Sequence, residues 1–204
     1  MASGTGSTED RSYTERLTRL GGARWKQVLD VQAPYRWNLR RHLGGRTVLD
    51  VGCGIGRNLQ HLDPSSVGVD HNAESVGLCR EAGLRAITTD ELESSEEMIP
   101  GRFDALLAAH LLEHLPEGAA ADVLRPYLRF LAPGARLVFI CPQQRGFRSD
   151  ATHTVYFDDD LLARTMREIG GEVVDQSSFP FPRAAGPWFT YNEFVTVGRL
   201  ADRR

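Results

Sequence analysis

The stretch that decides the fold runs from Val48 to Asn58 and reads Val-Leu-Asp-Val-Gly-Cys-Gly-Ile-Gly-Arg-Asn. A β-branched run, a glycine-rich turn and the start of a helix follow one another in this order. Glycine adopts positive φ and lets a ligand approach the backbone, so Gly52, Gly54 and Gly56 predict a binding loop. Such a loop lies at the carboxyl edge of a parallel sheet, where α/β proteins bind their ligands.

The remainder of the chain alternates in the same manner. Short apolar runs are separated by helical stretches, which is typical of a parallel sheet covered on both faces. The pattern predicts strands at 46–51, 66–70, 84–88, 103–109, 135–141, 172–178 and 191–200. It predicts helices at 12–43, 72–82, 117–131 and 158–169, the first interrupted at Gly21-Gly22 and at Pro34.

The length of 204 residues, with 41% hydrophobic and 25% charged residues, is typical of one globular domain. We expect a disordered tail at 1–11 and a single domain at 12–204, in which 12–43 is an N-terminal helical lid. No apolar run approaches the ~20 residues that cross a bilayer, and Met1–Asp10 has no secretory signal pattern, so no membrane partner is expected.

Charge and cysteine content narrow the function classes further. The net charge of −3, with both signs interspersed, makes a nucleic-acid partner an unfavoured interpretation. Cys53, Cys79 and Cys141 are odd in number and show no CxxC spacing, so neither a disulfide framework nor a cysteine zinc site is indicated. This pattern fits a reducing cytoplasm. The sequence leaves a homodimer open.

Acidic residues around the loop indicate the kind of ligand. Gly56 comes one position too early for the dinucleotide fingerprint, which disfavours a pyrophosphate cradle. A carboxylate at Asp50 would repel phosphate but attract an ammonium or a sulfonium-bearing zwitterion. Asp70, at the end of the next strand, can accept both hydroxyls of a ribose, and Asp90 can accept from an adenine amino group.

In order and spacing, 48–141 resembles the class I S-adenosylmethionine-dependent methyltransferases, including the Ala132-Pro-Gly134 turn before the fifth strand. The resemblance implies a Rossmann-like α/β sheet of seven strands, mostly parallel with an antiparallel last strand, and helices on both faces. It implies that the loop at 50–56 holds the methionine part of the cofactor and that Asp70 holds the ribose. The predicted cofactor-binding residues are Asp50, Gly52, Cys53, Gly54, Gly56, Asn58, Asp70, His71, Asp90, Ala109 and Arg40.

The resemblance also implies a role for the N-terminal helix in binding the cofactor. An arginine of this helix, Arg36 or Arg40, would bind the methionine carboxylate, and Tyr35 or Trp37 would shield the site from water. A solvated basic helix face, with its aromatics packed inward, is the other interpretation of the same residues.

Histidines after the fourth strand suggest a metal. His110, Glu113 and His114 share one face of a helical turn and can converge on one point, with His153 beyond the fifth strand as a fourth ligand. Glu113, His114 and His153 resemble the Glu-x-x-Glu-His…His motif of metal-dependent O-methyltransferases, while His110 replaces the first glutamate. Mg, Mn or Zn are the candidate ions. A purely structural role, or a metal-free histidine base, is left open.

The inferred reaction is displacement of the sulfonium methyl by a hydroxyl oxygen, with a base to remove its proton. His110 or His153, whichever does not bind metal, is the predicted catalytic base. The favoured acceptor is a sugar or oligosaccharide, because aromatic rings offer stacking surfaces; the predicted acceptor-binding residues are Arg183, Trp188, Tyr191 and Asn192. The whole sequence also resembles, loosely, actinobacterial sugar O-methyltransferases of the methylmannose polysaccharide type.

Other acceptors and other roles compete with this interpretation. Metal-independent methylation of a catechol or phenol oxygen, or of nitrogen or carbon, would survive chelation of the metal. A 2′-O-methyltransferase for RNA ends is disfavoured by charge and size. A protein that binds the cofactor without catalysis would keep the glycine loop but transfer no methyl group.

Overall fold

The computed structural model describes residues 33–201. The expected tail at 1–11 and the first part of the expected lid, 12–32, lie outside the described residues. The helices are α1 (Ala33–Leu43), α2 (Ala73–Glu81), α3 (Ala120–Leu124), α4 (Gln144–Arg148) and α5 (Asp159–Glu168). The strands are β1 (Val48–Val51), β2 (Val67–Asp70), β3 (Ala86–Thr88), β4 (Phe103–Ala109), β5 (Leu131–Pro142), β6 (Gly171–Phe179) and β7 (Glu193–Leu200).

The seven strands form one sheet in the order β3-β2-β1-β4-β5-β7-β6. β7 is antiparallel to both of its neighbours, and every other pairing is parallel. The carboxyl ends of β1, β2, β4 and β5 therefore share one edge, which we name the carboxyl edge; the opposite side is the amino edge. The predicted fold class is confirmed.

The inner strands of the sheet are buried on both faces, whereas the edge strand β6 is largely exposed. Successive residues of β4 alternate between two apolar clusters, with Leu106 in one and Leu107 in the other, because side chains of a strand point alternately to opposite faces. Leu39 and Leu43 of α1 belong to the cluster that contains Leu107. This burial explains why the strands read as nearly continuous apolar runs.

Two helix starts coincide with side-chain caps. Asn72 accepts a hydrogen bond from the backbone N–H of Ser75 at 2.9 Å and caps α2. Asp158 accepts from the N–H of Leu161 at 3.0 Å and caps α5. Both residues are of the type that satisfies the free N–H groups of a first turn, and both begin helices that the sequence predicts.

Two predicted helices are shorter in the structure. The helix expected at 117–131 is α-helical only over α3 and continues as a 3₁₀ helix, Arg125–Phe130. Pro126 lacks the N–H that would continue the α-helical ladder, which accounts for the change. The helix expected after the glycine loop is a single 3₁₀ turn, Leu59–His61, followed closely by Pro64, which disfavours helical geometry at Asp63. None of the helices within residues 33–201 has the length and apolar composition to cross a bilayer.

Candidate functional site

The glycine loop is held against the end of β2 by its own backbone. The N–H groups of Gly52 and Cys53 both donate to the carbonyl of Val69, at 2.8 and 3.1 Å. Gly52, Gly54 and Gly56 have φ of 77°, 52° and 79°. A Cβ on Gly56 would lie 2.5 Å from Cδ1 of Leu84, so both the backbone angle and the available space require glycine there.

Asp50 is a buried carboxylate at the start of this loop. It is 1% exposed, and its Oδ2 has no hydrogen-bond partner among the described residues. Burial, helped by the charge of Asp70, raises the pKa of Asp50 to about 7. A buried carboxylate without a partner is costly unless a cation or a donor meets it. The loop therefore presents an unsatisfied acceptor of the kind that a ligand ammonium would satisfy.

Asp70, in contrast, is already oriented by the backbone. Its Oδ2 accepts from the N–H of Gly54 at 2.7 Å, and its Oδ1 accepts from the N–H of Asn72 at 2.9 Å. These bonds fix the carboxylate at the carboxyl end of β2 beside the loop. Its position matches that of an acid that receives a ribose diol. Asp50, Asp70 and the glycine loop together fit the methionine and ribose parts of S-adenosylmethionine.

The other predicted cofactor residues surround this loop unevenly. His71 is exposed, with Nδ1 3.3 Å from Oδ1 of Asp70. Cys53 is buried, and its thiol points to the carbonyl of Gly54 at 3.6 Å. Asp90 lies exposed in the 3₁₀ turn after β3, and Arg40 lies exposed on α1. Asn58 is half-buried next to the turn at Leu59, and Ala109 is buried at the last position of β4.

A second cluster, which we name the histidine–glutamate trio, consists of Glu113, His114 and His153. One potential ligand atom from each residue lies within 4.8 Å of the other two. Glu113 and His114 belong to the 3₁₀ turn that follows β4, and His153 follows β5, so the trio lies at the carboxyl edge. The backbone N–H of Thr154 donates to the carbonyl of Glu113 at 2.7 Å and joins the two segments.

The histidines of the trio have their Nδ1 atoms already engaged. Nδ1 of His153 lies 2.8 Å from the carbonyl of Phe147, and Nδ1 of His114 lies 3.3 Å from the carbonyl of Thr152. A carbonyl accepts only, so each Nδ1 donates a proton, which leaves Nε2 as the nitrogen that could bind a metal. Burial lowers the pKa of His114, an effect that the charge of His153 reinforces and Glu113 opposes. Histidine rings oriented by backbone carbonyls are typical of metal-binding sites.

Glu113 is the buried member of the trio. Its side chain is fully buried, with Oε1 3.2 Å from Nδ1 of His110 and Oε2 without a partner in the described part of the chain. Burial favours the protonated form, but the hydrogen bond and positive charge of His110 outweigh it and hold the pKa of Glu113 below its usual range. An ionised, buried carboxylate therefore lies in one cluster with the two imidazole rings. The donor set of two imidazoles and one carboxylate fits a divalent metal.

His110 lies beside the trio and is not among the three residues that converge. Its φ is 56°, an uncommon value for a residue other than glycine. The ring lies between two carboxylates, with Nδ1 toward Glu113 and Nε2 2.9 Å from Oε1 of Glu193. Burial lowers the pKa of His110, but the bonds it donates to Glu113 and Glu193 dominate and raise that pKa well above its usual value. Both ring nitrogens of His110 are thus hydrogen-bonded to carboxylates. The predicted role as a metal ligand would instead require one nitrogen with a free lone pair.

Glu193 is the site residue that sequence reasoning missed. It is the first residue of β7 and stands opposite Pro142, the last residue of β5, in the antiparallel register. It lies 83 positions from His110 in the sequence. Only the insertion of β7 beside β5 brings it to the carboxyl edge, so no local motif could have marked it.

Two of the predicted acceptor residues hold the loop between β6 and β7 together. Asn192 is fully buried; its Nδ2 donates to Oε1 of Gln143 at 2.9 Å, and its Oδ1 accepts from the N–H of Phe181 at 2.9 Å. Arg183 forms an ion pair with Asp159 and lies over the ring of Phe194 at 5.0 Å. Asn192 is therefore engaged inside the protein, and Arg183 is engaged at the surface with Asp159.

The other two predicted acceptor residues are open to solvent. Trp188 is 79% exposed and Tyr191 is 60% exposed. The loop that carries them is tied to α1, because the hydroxyl of Tyr35 donates to the carbonyl of Tyr191 at 2.7 Å and Trp37 stacks on Phe179. Exposed aromatic rings therefore lie on a loop fixed at both ends, which is the arrangement that planar or sugar-ring ligands stack on.

Comparison with known families and sequences identifies the chain as a methyltransferase domain. The family model described as a methyltransferase domain matches residues 13–176. A ubiquinone biosynthesis O-methyltransferase of Pseudomonas paraeruginosa is 35% identical over 109 residues, which are 48% of this chain and 45% of that protein. One from Bordetella parapertussis is 27% identical over 169 residues, 73% of this chain and 68% of that protein. The chain spans about half the length of most of the curated relatives it matches.

Solved structures resemble the fold. A SAM-dependent methyltransferase from Thermotoga maritima has a TM-score of 0.67 at 16% identity, covering 92% of this chain and 97% of that one. The 1,6-didemethyltoxoflavin-N1-methyltransferase of Burkholderia thailandensis, solved with S-adenosylhomocysteine, has a TM-score of 0.58 at 21% identity, covering 99% and 94%. At these identities the likeness concerns the fold alone.

Proposed function

This chain belongs to the methyltransferase-domain family, and we propose that it transfers the methyl group of S-adenosylmethionine to a hydroxyl oxygen of a small acceptor. We further propose that the histidine–glutamate trio holds a divalent metal that assists the transfer. One observation carries the proposal: Glu113, His114 and His153 converge at the same sheet edge as the glycine loop, and the buried Oε2 of Glu113 has no hydrogen-bond partner among the described residues.

The residues around the glycine loop would bind the cofactor. The unpaired Oδ2 of Asp50 would accept from the methionine ammonium, and the oriented carboxylate of Asp70 would accept from the ribose hydroxyls. When bound, S-adenosylmethionine supplies an electrophilic methyl group on a positively charged sulfur. Asp90 and Arg40, which are exposed, stay proposed contacts for the adenine amino group and the methionine carboxylate.

The residues of the trio would hold the metal, and His110 would handle the proton. Two neutral imidazoles and a carboxylate accommodate Mn or Zn readily and Mg less well. A divalent metal, when bound, lowers the pKa of a coordinated hydroxyl and orients it. His110 carries a proton on both ring nitrogens, so its Nε2 proton would first pass to Glu193, after which Nε2 could take the acceptor's proton. The carboxylate of Glu113 would then stabilise the recharged ring, as an acid does for the base of a catalytic triad.

A sugar or oligosaccharide is the acceptor that we propose first. Trp188 and Tyr191 expose their rings on a loop anchored to α1 and α5, and such rings bind the flat faces of sugars. Arg183 and Asn192 contribute by keeping the loop in place. The curated relatives are O-methyltransferases, which supports an oxygen acceptor without specifying its kind.

A phenol or catechol is the second candidate, and the names of the relatives favour it. Ubiquinone biosynthesis O-methyltransferases match about half of the chain. A catechol presents two neighbouring oxygens, as a sugar diol does, so the same metal site can serve either acceptor.

An acceptor screen with the full chain separates these candidates. The protein is treated with EDTA, dialysed, and assayed for S-adenosylhomocysteine release with Mg, Mn or Zn against sugars, catechols and amines. We expect the EDTA-treated protein to be inactive, and we expect added metal to restore its activity on a vicinal diol. Full activity of the EDTA-treated protein would contradict metal assistance, and methylation of amines alone would contradict the oxygen acceptor. Glu113→Gln should abolish the metal response, while the exposed neighbour Glu117→Gln should retain it.

A further inference from the structure

Two thiols, those of Cys53 and Cys79, converge beside the glycine loop. Cys53 belongs to the loop, and Cys79 lies on α2. The thiol of Cys79 donates to the carbonyl oxygen of Gly54 at 3.3 Å, and Sγ of Cys53 lies 3.6 Å from the same oxygen. Two sulfurs from separate elements thus meet at one backbone carbonyl, and we name them the thiol pair.

The members of the thiol pair also contact each other. Cys53 donates a hydrogen bond to the side chain of Cys79, and this bond lowers the pKa of Cys79, although burial opposes the effect. The same bond, together with burial, raises the pKa of Cys53. Cys79 is therefore the thiol of the pair that ionises more readily. The thiolate is the form of cysteine that reacts with oxidants.

Two glycines leave the space that the sulfurs occupy. A Cβ on Gly68 of β2 would lie 2.6 Å from Sγ of Cys53, and a Cβ on Gly56 would lie 3.1 Å from Sγ of Cys79. The other buried members of the surrounding cluster are apolar: Leu59, Val76 and Ala86. Within residues 33–201, no histidine or carboxylate joins the thiol pair in a set of three converging metal ligands. The surroundings favour a reaction between the two sulfurs.

The thiol pair is connected to the proposed cofactor site through the backbone of the loop. The N–H of Cys53 donates to the carbonyl of Val69 at 3.1 Å. The N–H of Gly54, whose carbonyl meets both sulfurs, donates to Oδ2 of Asp70 at 2.7 Å. A displacement of Cys53 would therefore move the groups that shape the loop and orient the carboxylate of Asp70.

We propose that Cys53 and Cys79 form a site of reversible oxidation, at which a peroxide converts the two thiols to a disulfide and thereby weakens cofactor binding. This regulation rests on the proposed function, in which the glycine loop and Asp70 bind S-adenosylmethionine. A disulfide bond is only ~2.05 Å long, so its formation draws the two sulfurs together from a non-bonded contact. It also removes the thiol donors from the carbonyl of Gly54. Cys79 is fixed within α2, so the loop is the part that we expect to move.

The reaction is balanced by one peroxide. One sulfur of the pair, as a thiolate, attacks a peroxide oxygen; an S–O bond forms, the O–O bond breaks, and the leaving hydroxide takes up the released thiol proton. The other thiol attacks the resulting sulfenic acid; the S–S bond forms, the S–O bond breaks, and the second hydroxide leaves as water with the thiol proton. The two sulfurs lose two electrons, and the peroxide is reduced to two waters. Cys53, at 8% exposure, is the member of the pair that a small oxidant meets first.

Peptide mapping and calorimetry with the full chain test this assignment. The reduced protein is incubated with hydrogen peroxide, and its peptides are mapped by mass spectrometry. Its affinity for S-adenosylhomocysteine is measured before oxidation, after oxidation, and after treatment with dithiothreitol. We expect a cross-linked peptide that joins Cys53 to Cys79, at least tenfold weaker binding, and full recovery on reduction.

Cys79→Ser removes one member of the thiol pair and keeps a hydroxyl donor for the carbonyl of Gly54. Its affinity for S-adenosylhomocysteine should not respond to peroxide. Cys141→Ala is the matched control, because Cys141 is a buried cysteine of β5 outside the pair, and this variant should keep the response. The peptide map of the wild type tests the disulfide even if a variant fails to fold.

An absence of the cross-linked peptide in the oxidised wild type would overturn the proposal. It would also be overturned by a cross-linked protein with unchanged affinity, or by an equal loss of affinity in oxidised Cys79→Ser. Failure of the reduced wild type to bind S-adenosylhomocysteine would contradict the proposed function, and the regulatory role would fall with it. The peptide map distinguishes this failure, because it reports the disulfide without any cofactor.

Discussion

The two halves of the carboxyl edge are built by different means. Around the glycine loop, between β1 and β2, most of the positioning is done by backbone: N–H groups donate to Val69 and to Asp70, and positive φ angles shape the turn. Around the trio and the aromatic loop, side chains distant in sequence support one another, as in the pairs His110–Glu193 and Asn192–Gln143. The first half, which we name the cradle, consists of the glycine loop with Asp50 and Asp70 and is shaped by its backbone. In the second half, each side-chain contact can be removed by a single substitution.

The largest effect is expected from removing a histidine of the trio. His114→Ala or His153→Ala should lower kcat by about 10²–10⁴-fold, since each removes a proposed ligand of the metal that orients and activates the acceptor hydroxyl. The affinity for S-adenosylhomocysteine should persist, because the cradle is formed by other residues. Steady-state rates and calorimetry on the same preparations measure both quantities. A parallel loss of cofactor affinity would show that the two halves are not separable.

Asp50→Asn should change stability and cofactor binding in opposite directions. Burial raises the pKa of Asp50 from 3.8 to about 7, so the folded protein holds this proton more tightly than the unfolded chain does. Wild-type stability contributed by this group is therefore lost as the pH rises from about 4 to about 7. Above pH 7 the variant should be more stable by up to about 4 kcal/mol, an order-of-magnitude figure.

The same variant should bind S-adenosylhomocysteine more weakly, because the amide cannot pair with the ammonium as a carboxylate does. Urea unfolding at pH 4, 6 and 8 measures the stability difference, which should vanish toward pH 4. A constant difference across these pH values would contradict a buried, strained carboxylate.

Gly56→Ala tests the rigidity of the cradle. The new Cβ would meet Cδ1 of Leu84 at 2.5 Å, at a residue whose φ is 79°. We expect a loss of about 2 kcal/mol in the free energy of unfolding. Gly77→Ala is the matched control, because it lies in α2 with open space around it and should stabilise the helix by up to about 1 kcal/mol. Equal effects of the two substitutions would contradict the close approach of Leu84.

The smallest effect is expected at Trp188. This side chain is 79% exposed, so Trp188→Ala should leave stability within about 0.5 kcal/mol of the wild type. Loss of a stacking surface should raise KM for a sugar acceptor several-fold, equivalent to about 1 kcal/mol. Val174→Ala, another exposed apolar residue at a distance from the loop, is the control. An unchanged KM would remove Trp188 from the acceptor site.

The sequence predicts the backbone-built half well because its signals are local. Each of these signals determines the structure within a few residues of its own position. They are the glycine spacing, the acids at the strand ends, and the helix caps Asn72 and Asp158. The convergence of Glu113 with His114 also follows from one turn of chain. His153 comes close to Glu113 and His114 because β5 lies beside β4. The parallel-sheet pattern of the sequence already implies this pairing.

The region around the trio and the loop between β6 and β7 is less predictable, because its contacts join residues that are far apart in the sequence. Glu193 reaches His110 only through the antiparallel insertion of β7, and Asn192 is drawn inward by Gln143, whose partner role has no sequence signature. Arg183 reads as an acceptor contact but pairs with Asp159. In sequence, a polar residue of the loop between β6 and β7 looks the same whether it binds a ligand or forms an internal contact that holds the loop in place.

The proposed methyl transfer requires the glycine loop and Asp70 to bind the cofactor. Calorimetric titration of the full chain with S-adenosylhomocysteine tests this, together with Asp70→Asn as the variant that loses the proposed ribose acceptor. We predict saturable one-to-one binding by the wild type and at least tenfold weaker binding by the variant. An absence of binding heat in the wild type at several temperatures, or equal affinity in Asp70→Asn, would contradict the assignment.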